Sequence, residues 1–478
     1  MKNIKYCFVV LFICYGMLVN AQQRPQPDSL TLYYRSLAKS GTDADKLKII
    51  EGLKKMADKD EKGITRATQI AEAIRQNALA DSLSEVSVKR YPKGHAAFVK
   101  YYSDLVSMNT TAAEKEKKYQ ELIQQFPEPA QDADITYDYA RAEVAYFYAM
   151  EGNAAKCEQW VESVKSPSFQ NTIISVDAPL LEAKNEFPTA ERMIRKAVAI
   201  AKAGADKNSS AKENYYANVA DLAYVLFKQK RYKDALIYAT EAYEGSTRKS
   251  GSVKTVYAMT LTANKRGKEA LPLLVEEVKA GRATAEIKNS LKAAYIQDKG
   301  SEVGYADLMS SLNADLHKEV QANVGKKMIS ENAPEFALAD VNGNKVSLTE
   351  LKGKVVILDF WATWCGPCKK SFPAMQRVVN KYKDDPNVKF LFIDTWEDIP
   401  NPAKDVKAFI AKNNYSFQVL LDDKKSNVVG MFGITGIPAK FVIDGNGKVR
   451  FKLTGFDGAD DAAVEEMSTM IEMARKQG

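Results

Sequence analysis

Apolar residues recur three and four positions apart from Ser29 to about Ala322, a spacing that predicts helix throughout that stretch. Breaks at Gly41-Thr42-Asp43, Tyr91-Pro92-Lys93-Gly94, Phe126-Pro127-Glu128-Pro129, Ser166-Pro167 and Lys249-Ser250-Gly251 mark loops between helices. The pattern then changes. Phe336 to Asp340 and Lys345 to Leu348 flank Val341-Asn342-Gly343-Asn344, an Asn-Gly turn that predicts a hairpin. Val355 to Trp361 is an apolar run interrupted by Asp359 and predicts a buried strand. A helix is expected over Lys369 to Asp384, a strand over Val388 to Asp394 and a helix over Ala403 to Lys412. A short strand follows at Phe417 to Leu421 and a short helix at Lys425 to Phe432. Strands Ala439 to Ile443 and Lys448 to Leu453 are joined by Asp444-Gly445-Asn446-Gly447, and Ala459 to Lys476 is an amphipathic helix. Strands alternating with helices, then a hairpin, give a mixed sheet with helices on both faces. The chain is therefore read as multidomain. An all-α region at 29–322 is followed by a linker at 323–334 and an α/β domain at 335–478.

Part of the helical region repeats. A small residue recurs after twelve positions at Ala145 and Cys157, Ala178 and Ala190, Ala223 and Ala235, Ala258 and Ala270, and Ala294 and Ala306. A small residue on each helix of a pair lets two backbones approach closely. Over residues 137–320 this pairing, with a period of about 33–36, resembles tetratricopeptide repeats, although the spacing stretches between Ala190 and Ala235. For 29–130 only helix pairs are expected. By this alignment Cys157 stands where other copies carry alanine, and it reads as a small buried residue at a helix crossing.

Composition narrows the class. At 478 residues, with 45% hydrophobic and 27% charged positions, the chain is an ordinary globular protein of two or three domains. The formal net charge of +7 is spread along the chain, with no basic stripe interleaved with aromatics, so nucleic acid is not an expected partner. Residues 1–21 read as a secretory signal. Lys2 and Lys5 precede an apolar stretch from Cys7 to Val19, and Val19-Asn20-Ala21 suits cleavage before Gln22. The apolar stretch is short of the roughly 20 residues that span a bilayer. A polar, proline-bearing leader, 22–28, follows, and the expected location is periplasmic.

Cleavage leaves three cysteines, Cys157, Cys365 and Cys368. One close pair and one distant single do not make a disulfide-stapled scaffold. Trp364-Cys365-Gly366-Pro367-Cys368 lies where the buried strand hands over to a helix. A thiol at a helix N-terminus meets unpaired backbone N–H groups and the positive dipole end, both of which favour its thiolate. The second thiol is within one turn and can close a disulfide. His95 and His317 stand apart from each other and from any cysteine or carboxylate cluster in sequence, so no metal site is expected.

The segment from about Ile329 to Gly478 resembles a thioredoxin fold, and most of all the exported TlpA/ResA-like thiol-disulfide oxidoreductases. The residues that carry the resemblance are Asp359-Phe360-Trp361-Ala362-Thr363-Trp364-Cys365-Gly366-Pro367-Cys368, then Gly436-Ile437-Pro438 ahead of a strand. The leading hairpin and the extra strand and helix between about 395 and 421, which plain thioredoxins lack, complete it. The resemblance implies that Cys365 attacks a substrate disulfide and that Cys368 resolves the mixed disulfide. It implies Asp359 as the buried acid that takes the Cys368 proton, and a cis Pro438 facing the dithiol. Trp364, Gly366, Pro367, Ile437 and Pro438 become the candidate substrate-contacting residues. Gly366-Pro367 and Ile437 resemble reducing members, so protein disulfides are the implied substrates. No cofactor is implied beyond the Cys365–Cys368 pair itself. A membrane thiol carrier of the CcdA or DsbD type is the implied electron donor. Several ResA-like proteins carry an acid shortly after the second cysteine. Here those positions are Lys369, Lys370 and Ser371, which weakens any transfer of apocytochrome specificity.

Rival readings are set by residues too. A bare Cys-x-x-Cys could be half a zinc site, but no second pair of ligands exists. A peroxiredoxin would want proline seven residues, and threonine or serine three residues, before its reactive cysteine, where this chain has Leu358 and Ala362. A disulfide isomerase or oxidase uses the same dithiol. A non-enzymatic reading makes the helical region a protein-binding scaffold with an accessory redox domain. The integrated expectation is that the helical region docks substrates, or mediates association, for the dithiol domain.

Overall fold

The computed structural model describes residues 28–107, 110–128, 135–249, 251–397, 402–423, 425–456 and 460–478. The expected signal at 1–21 and nearly all of the leader lie outside the described residues. Two compact units divide the described chain, one ending at Thr189 and the other running from Ala190 to Gly478.

The first unit carries α1 (Ser29–Ser40), α2 (Asp43–Ala57), α3 (Glu61–Ala73), α4 (Asn77–Arg90), α5 (His95–Ser107), α6 (Ala112–Gln125), α7 (Ile135–Glu151), α8 (Ala154–Glu162) and α9 (Pro167–Glu182). α10 (Phe187–Gly204) leads into the second unit. There follow α11 (Ser209–Lys228), α12 (Tyr232–Gly245), α13 (Ser252–Ala263), α14 (Gly267–Lys279), α15 (Ala285–Lys299) and α16 (Tyr305–Gly325). Neighbouring helices pair through the small residues read from the sequence: Ala145, Cys157, Ala223, Ala235, Ala258 and Ala270 are all fully buried. Each turn is closed in one way. Gly152, Asn185, Lys230 and Lys265, each seven residues after the first small residue, take positive φ. The next backbone N–H then reaches back to the carbonyl five residues earlier, as from Asn153 to Tyr148, Arg231 to Leu226 and Arg266 to Leu261. Arg75 does the same between α3 and α4, with Gln76 bonding Ala71 and Ala80 buried. The repeat therefore begins earlier than the alanine spacing indicated, because Thr68 stands where other copies carry alanine.

The fifth expected pair fails: Ala294 is buried but Ala306 is exposed. Gly300 and Gly304, both at positive φ, lengthen the turn. α16 then packs along the C-terminal helix. The stretch 323–334 is also more than a linker. Val324 is buried in the core of the C-terminal domain, and Glu331–Asn332 form a strand.

That domain contains β1 (Glu331–Asn332), β2 (Ala337–Ala339), β3 (Lys345–Ser347), β4 (Val355–Trp361), α17 (Gly366–Lys381), β5 (Val388–Asp394), α18 (Pro402–Lys412), β6 (Val419–Leu421), α19 (Val428–Met431), β7 (Ala439–Ile443), β8 (Lys448–Thr454) and α20 (Asp460–Arg475). The main sheet runs β1-β8-β7-β4-β5-β6. β4, β5 and β6 are parallel; β7, β8 and β1 are antiparallel to their neighbours. The two faces are covered unequally. α17, α18, α20 and Val324 cover one. The other holds α19 with Phe336, Leu338 and Leu348, which come from the β2–β3 hairpin and its flanks. Phe372 pins α17 to the first face, its ring 5.0 Å from Trp361 and 5.1 Å from Phe417.

Candidate active site

β4 delivers the site. Side chains alternate along a strand, so Ile357, Asp359 and Trp361 share the α17 face while Val356, Leu358 and Phe360 turn to the other. The chain leaves β4 through Ala362-Thr363-Trp364 and enters α17 at Gly366, three residues earlier than periodicity indicated. Cys365 is the N-cap, and its Sγ accepts the backbone N–H of Cys368 at 3.2 Å. Pro367 fits the first turn, where a missing N–H costs nothing. Cys365 and Cys368 are joined by a disulfide, with Cα atoms 5.3 Å apart, and both are buried. Gly366, Pro367 and Trp364 are half-buried above them. This arrangement can cycle between a disulfide and two thiols, with the first sulfur held against the helix N-terminus.

β7 supplies the opposite wall. Phe360 pairs with Ala439 and Asp359 with Lys440. The register therefore brings Pro438 to the carboxyl end of β4, beside the active-site turn. The Ile437–Pro438 peptide bond is cis. Ile437 packs on the apolar cluster that contains both cysteines.

Asp359 is fully buried. Burial raises its carboxyl above the ordinary carboxylate range, and the Lys440 ammonium pulls it partly back. Lys440 Nζ lies 3.1 Å from Asp359 Oδ1 as an ion pair and donates to Ser371 Oγ at 3.2 Å. Ser371 in turn donates to the Cys368 carbonyl at 2.8 Å. Lys440 and Ser371 thus connect the buried acid to the helix that carries the second thiol. Sequence reading missed this lysine. The signal was there: a charged residue inside Ala439-Lys440-Phe441-Val442-Ile443, one strand away from an acid inside another apolar run. A cavity of about 410 Å³ reaches this group, with Ser371, Lys440, Met375, Leu453 and Phe456 among its walls.

The β5 side was also missed. Glu397 accepts the Thr363 backbone N–H at 2.6 Å, and the Trp364 indole N–H donates to the Trp396 carbonyl at 3.1 Å. Asp394 is buried beneath them. Burial, and then the neighbouring Glu397 carboxylate, push its carboxyl well above the ordinary range.

Other candidates fall elsewhere. Cys157 is buried in the first unit, 3.8 Å from Asp177 Oδ2, and burial drives its thiol far above the ordinary range, the opposite of a reactive thiolate. His317, read from the sequence as standing apart from any carboxylate or cysteine cluster, lies against Glu465 of α20. Among the described residues no group of three or more His, Cys, Asp or Glu side chains is arranged to hold a metal ion.

The sequence model of the AhpC/TSA family matches residues 329–452. Thiol-disulfide oxidoreductase ResA of Bacillus anthracis is 36% identical over 149 residues, 31% of this chain and 82% of the relative. ResA of Bacillus subtilis is 35% identical over 150 residues, 31% of this chain and 79% of the relative. Among solved structures, StoA from Bacillus subtilis aligns at 27% identity over 28% of this chain and 96% of its own, with a TM-score of 0.24. On its C-terminal domain, the chain belongs to the ResA family of thiol-disulfide oxidoreductases.

Proposed function

We propose that the chain is an exported reductase of protein disulfides that works through Cys365 and Cys368. The observation that carries this reading is the Cys365–Cys368 disulfide at the N-cap of α17, above the buried Asp359–Lys440 pair. In the reduced form, Cys365 is the thiolate and attacks one sulfur of a substrate disulfide. The other substrate sulfur leaves as a thiolate and takes a proton. Cys368 then gives its proton to Asp359 and attacks Cys365 Sγ, and the second substrate sulfur leaves. Two electrons pass from the dithiol to the substrate, and the Cys365–Cys368 disulfide remains. Burial raises the Asp359 carboxyl and the Lys440 ammonium offsets part of that rise, so the acid can take up the Cys368 proton and give it back. Gly366 and Pro367 keep the turn tight, while Ile437 and Pro438 line an extended substrate segment opposite the thiols.

Export is supported by Lys2, Lys5 and the Val19-Asn20-Ala21 pattern. Outside the cytoplasm the dithiol needs an electron source, and a membrane thiol carrier of the CcdA or DsbD type suits that chemistry. The helical repeats serve as a docking or association module for substrates.

Reduction of insulin by the full chain, with dithiothreitol as reductant, tests the reading. The native chain is expected to accelerate precipitation of the insulin B chain, and Cys365→Ala to abolish the acceleration. A native chain that leaves insulin untouched but oxidises a reduced protein would reverse the direction proposed.

A further inference from the structure

The carboxyl end of β4 is flanked on both sides. Ile437 and Pro438 close the β7 side. On the β5 side stands Trp396, just past the end of the parallel strand, where Thr395 N–H still bonds the Trp361 carbonyl at 2.9 Å. Clefts at the carboxyl ends of parallel strands are where ligands approach such sheets.

Trp396 is unusual in two ways. Its φ is 56°, a left-handed conformation that is a true outlier for a bulky residue and persists only where the surroundings impose it. The residue is 40% exposed, although a tryptophan is among the most buried of residues on average. The surroundings that impose the conformation belong to the active-site turn. The Trp396 carbonyl holds the Trp364 indole, and Glu397 holds the Thr363 N–H, so consecutive loop residues are tied to consecutive residues before Cys365. Among the described residues the Trp396 indole has no ring, cation or hydrogen-bond partner. A strained backbone thus presents an unpartnered aromatic surface beside the dithiol.

We infer that Trp396 is a specificity-determining contact for the polypeptide substrate. It receives an apolar side chain next to the substrate cysteine while that cysteine is joined to Cys365. This inference rests on the proposed reductase reading and names its substrate class: protein segments with apolar residues flanking the disulfide. An extended segment laid across the sheet end from Ile437 and Pro438 passes over Cys365 and meets Trp396 on the far side. Large aromatic surfaces that close over a partner's apolar group are the residues that dominate such contacts.

The test uses the full chain and two peptides with one internal disulfide each, flanked by leucine and phenylalanine in one and by serine in the other. The native chain is expected to prefer the apolar peptide about tenfold in kcat/KM, chiefly through KM. Trp396→Gly suits the positive φ and removes the indole, and it should bring that ratio close to one. Trp396→Phe keeps a ring there and should retain most of the preference. A native chain without preference overturns the inference before any variant is made. So does an unchanged ratio in Trp396→Gly, or a variant inactive on both peptides, which would make the residue merely structural. Failure of the native chain to reduce either peptide overturns the reductase reading itself.

Discussion

At the scale of residues, the chemistry depends on where a few charges are buried. The Cys365–Cys368 pair at a strand-to-helix junction was legible from its spacing, and the burial of the acid at 359 was expected from the family resemblance. The partner of the acid was not, because cross-strand register decides it: Lys440 meets Asp359 only when β7 runs antiparallel to β4. Because burial raises the Asp359 carboxyl, the rate of the Cys368 step should rise with pH through that raised value. Asp359→Asn should slow the step about 10²-fold or more and remove that limb. Lys440→Met deletes the charge that pulls the carboxyl back down, so its limb should move to higher pH; single-turnover release of substrate checks both. Stability follows the same linkage. A carboxyl whose folded pKa is raised contributes stability fully below its ordinary value of 3.8 and loses it as pH rises through the folded value. The Asp359→Asn, Lys440→Met double variant removes both buried charges. Its oxidised form should be more stable at neutral pH by about 1–4 kcal/mol, with a flatter pH profile, measured by urea unfolding.

At the scale of elements, periodicity located the sheet strands well. Val388 to Asp394 and Ala439 to Ile443 coincide with β5 and β7, whose runs, apolar apart from Lys389, Asp394 and Lys440, leave little choice of boundary. α17 was placed three residues late because its first turn is made of Gly366, Pro367 and Cys368, which carry no helical periodicity. There the cap decides, and Cys365 is an N-cap that composition does not advertise. The repeat was legible through its alanines and missed at Thr68, since the invariant of the fold is the left-handed turn. Lys265 occupies that turn with φ 63°. Lys265→Gly relieves the positive φ and should leave thermal stability unchanged or raise it by up to about 1 kcal/mol. Lys265→Val places a β-branched residue there and should lower it by about 1–3 kcal/mol.

At the scale of the whole molecule, the second unit packs its helical repeats directly on the dithiol domain. α16 packs along α20 and buries Val324 in the same cluster as both cysteines. Lys288 of α15 reaches Asp461 at 2.8 Å, Arg377 of α17 reaches the same carboxylate at 2.7 Å, and Gly281 accepts the Ala462 N–H at 3.3 Å. Sequence alone suggested a linker here, since Gly325, Lys326 and Lys327 read as polar and loose; the fully buried apolar anchor is Val324, just before them, with Val320 and Met328 packed on the same cluster. A fragment beginning at 329 should therefore melt below one beginning at 305, because it uncovers the α20 surface and leaves a hole at Val324. The central claim is that Cys365 attacks and Cys368 resolves, and one measurement reaches it directly. Full-length Cys368→Ala is mixed with disulfide-bonded insulin, quenched with acid and analysed by mass spectrometry without reduction. A one-to-one adduct on Cys365, released by dithiothreitol and missing when Cys365 is also alanine, is the predicted result. No adduct, or an adduct on Cys157, would contradict the account.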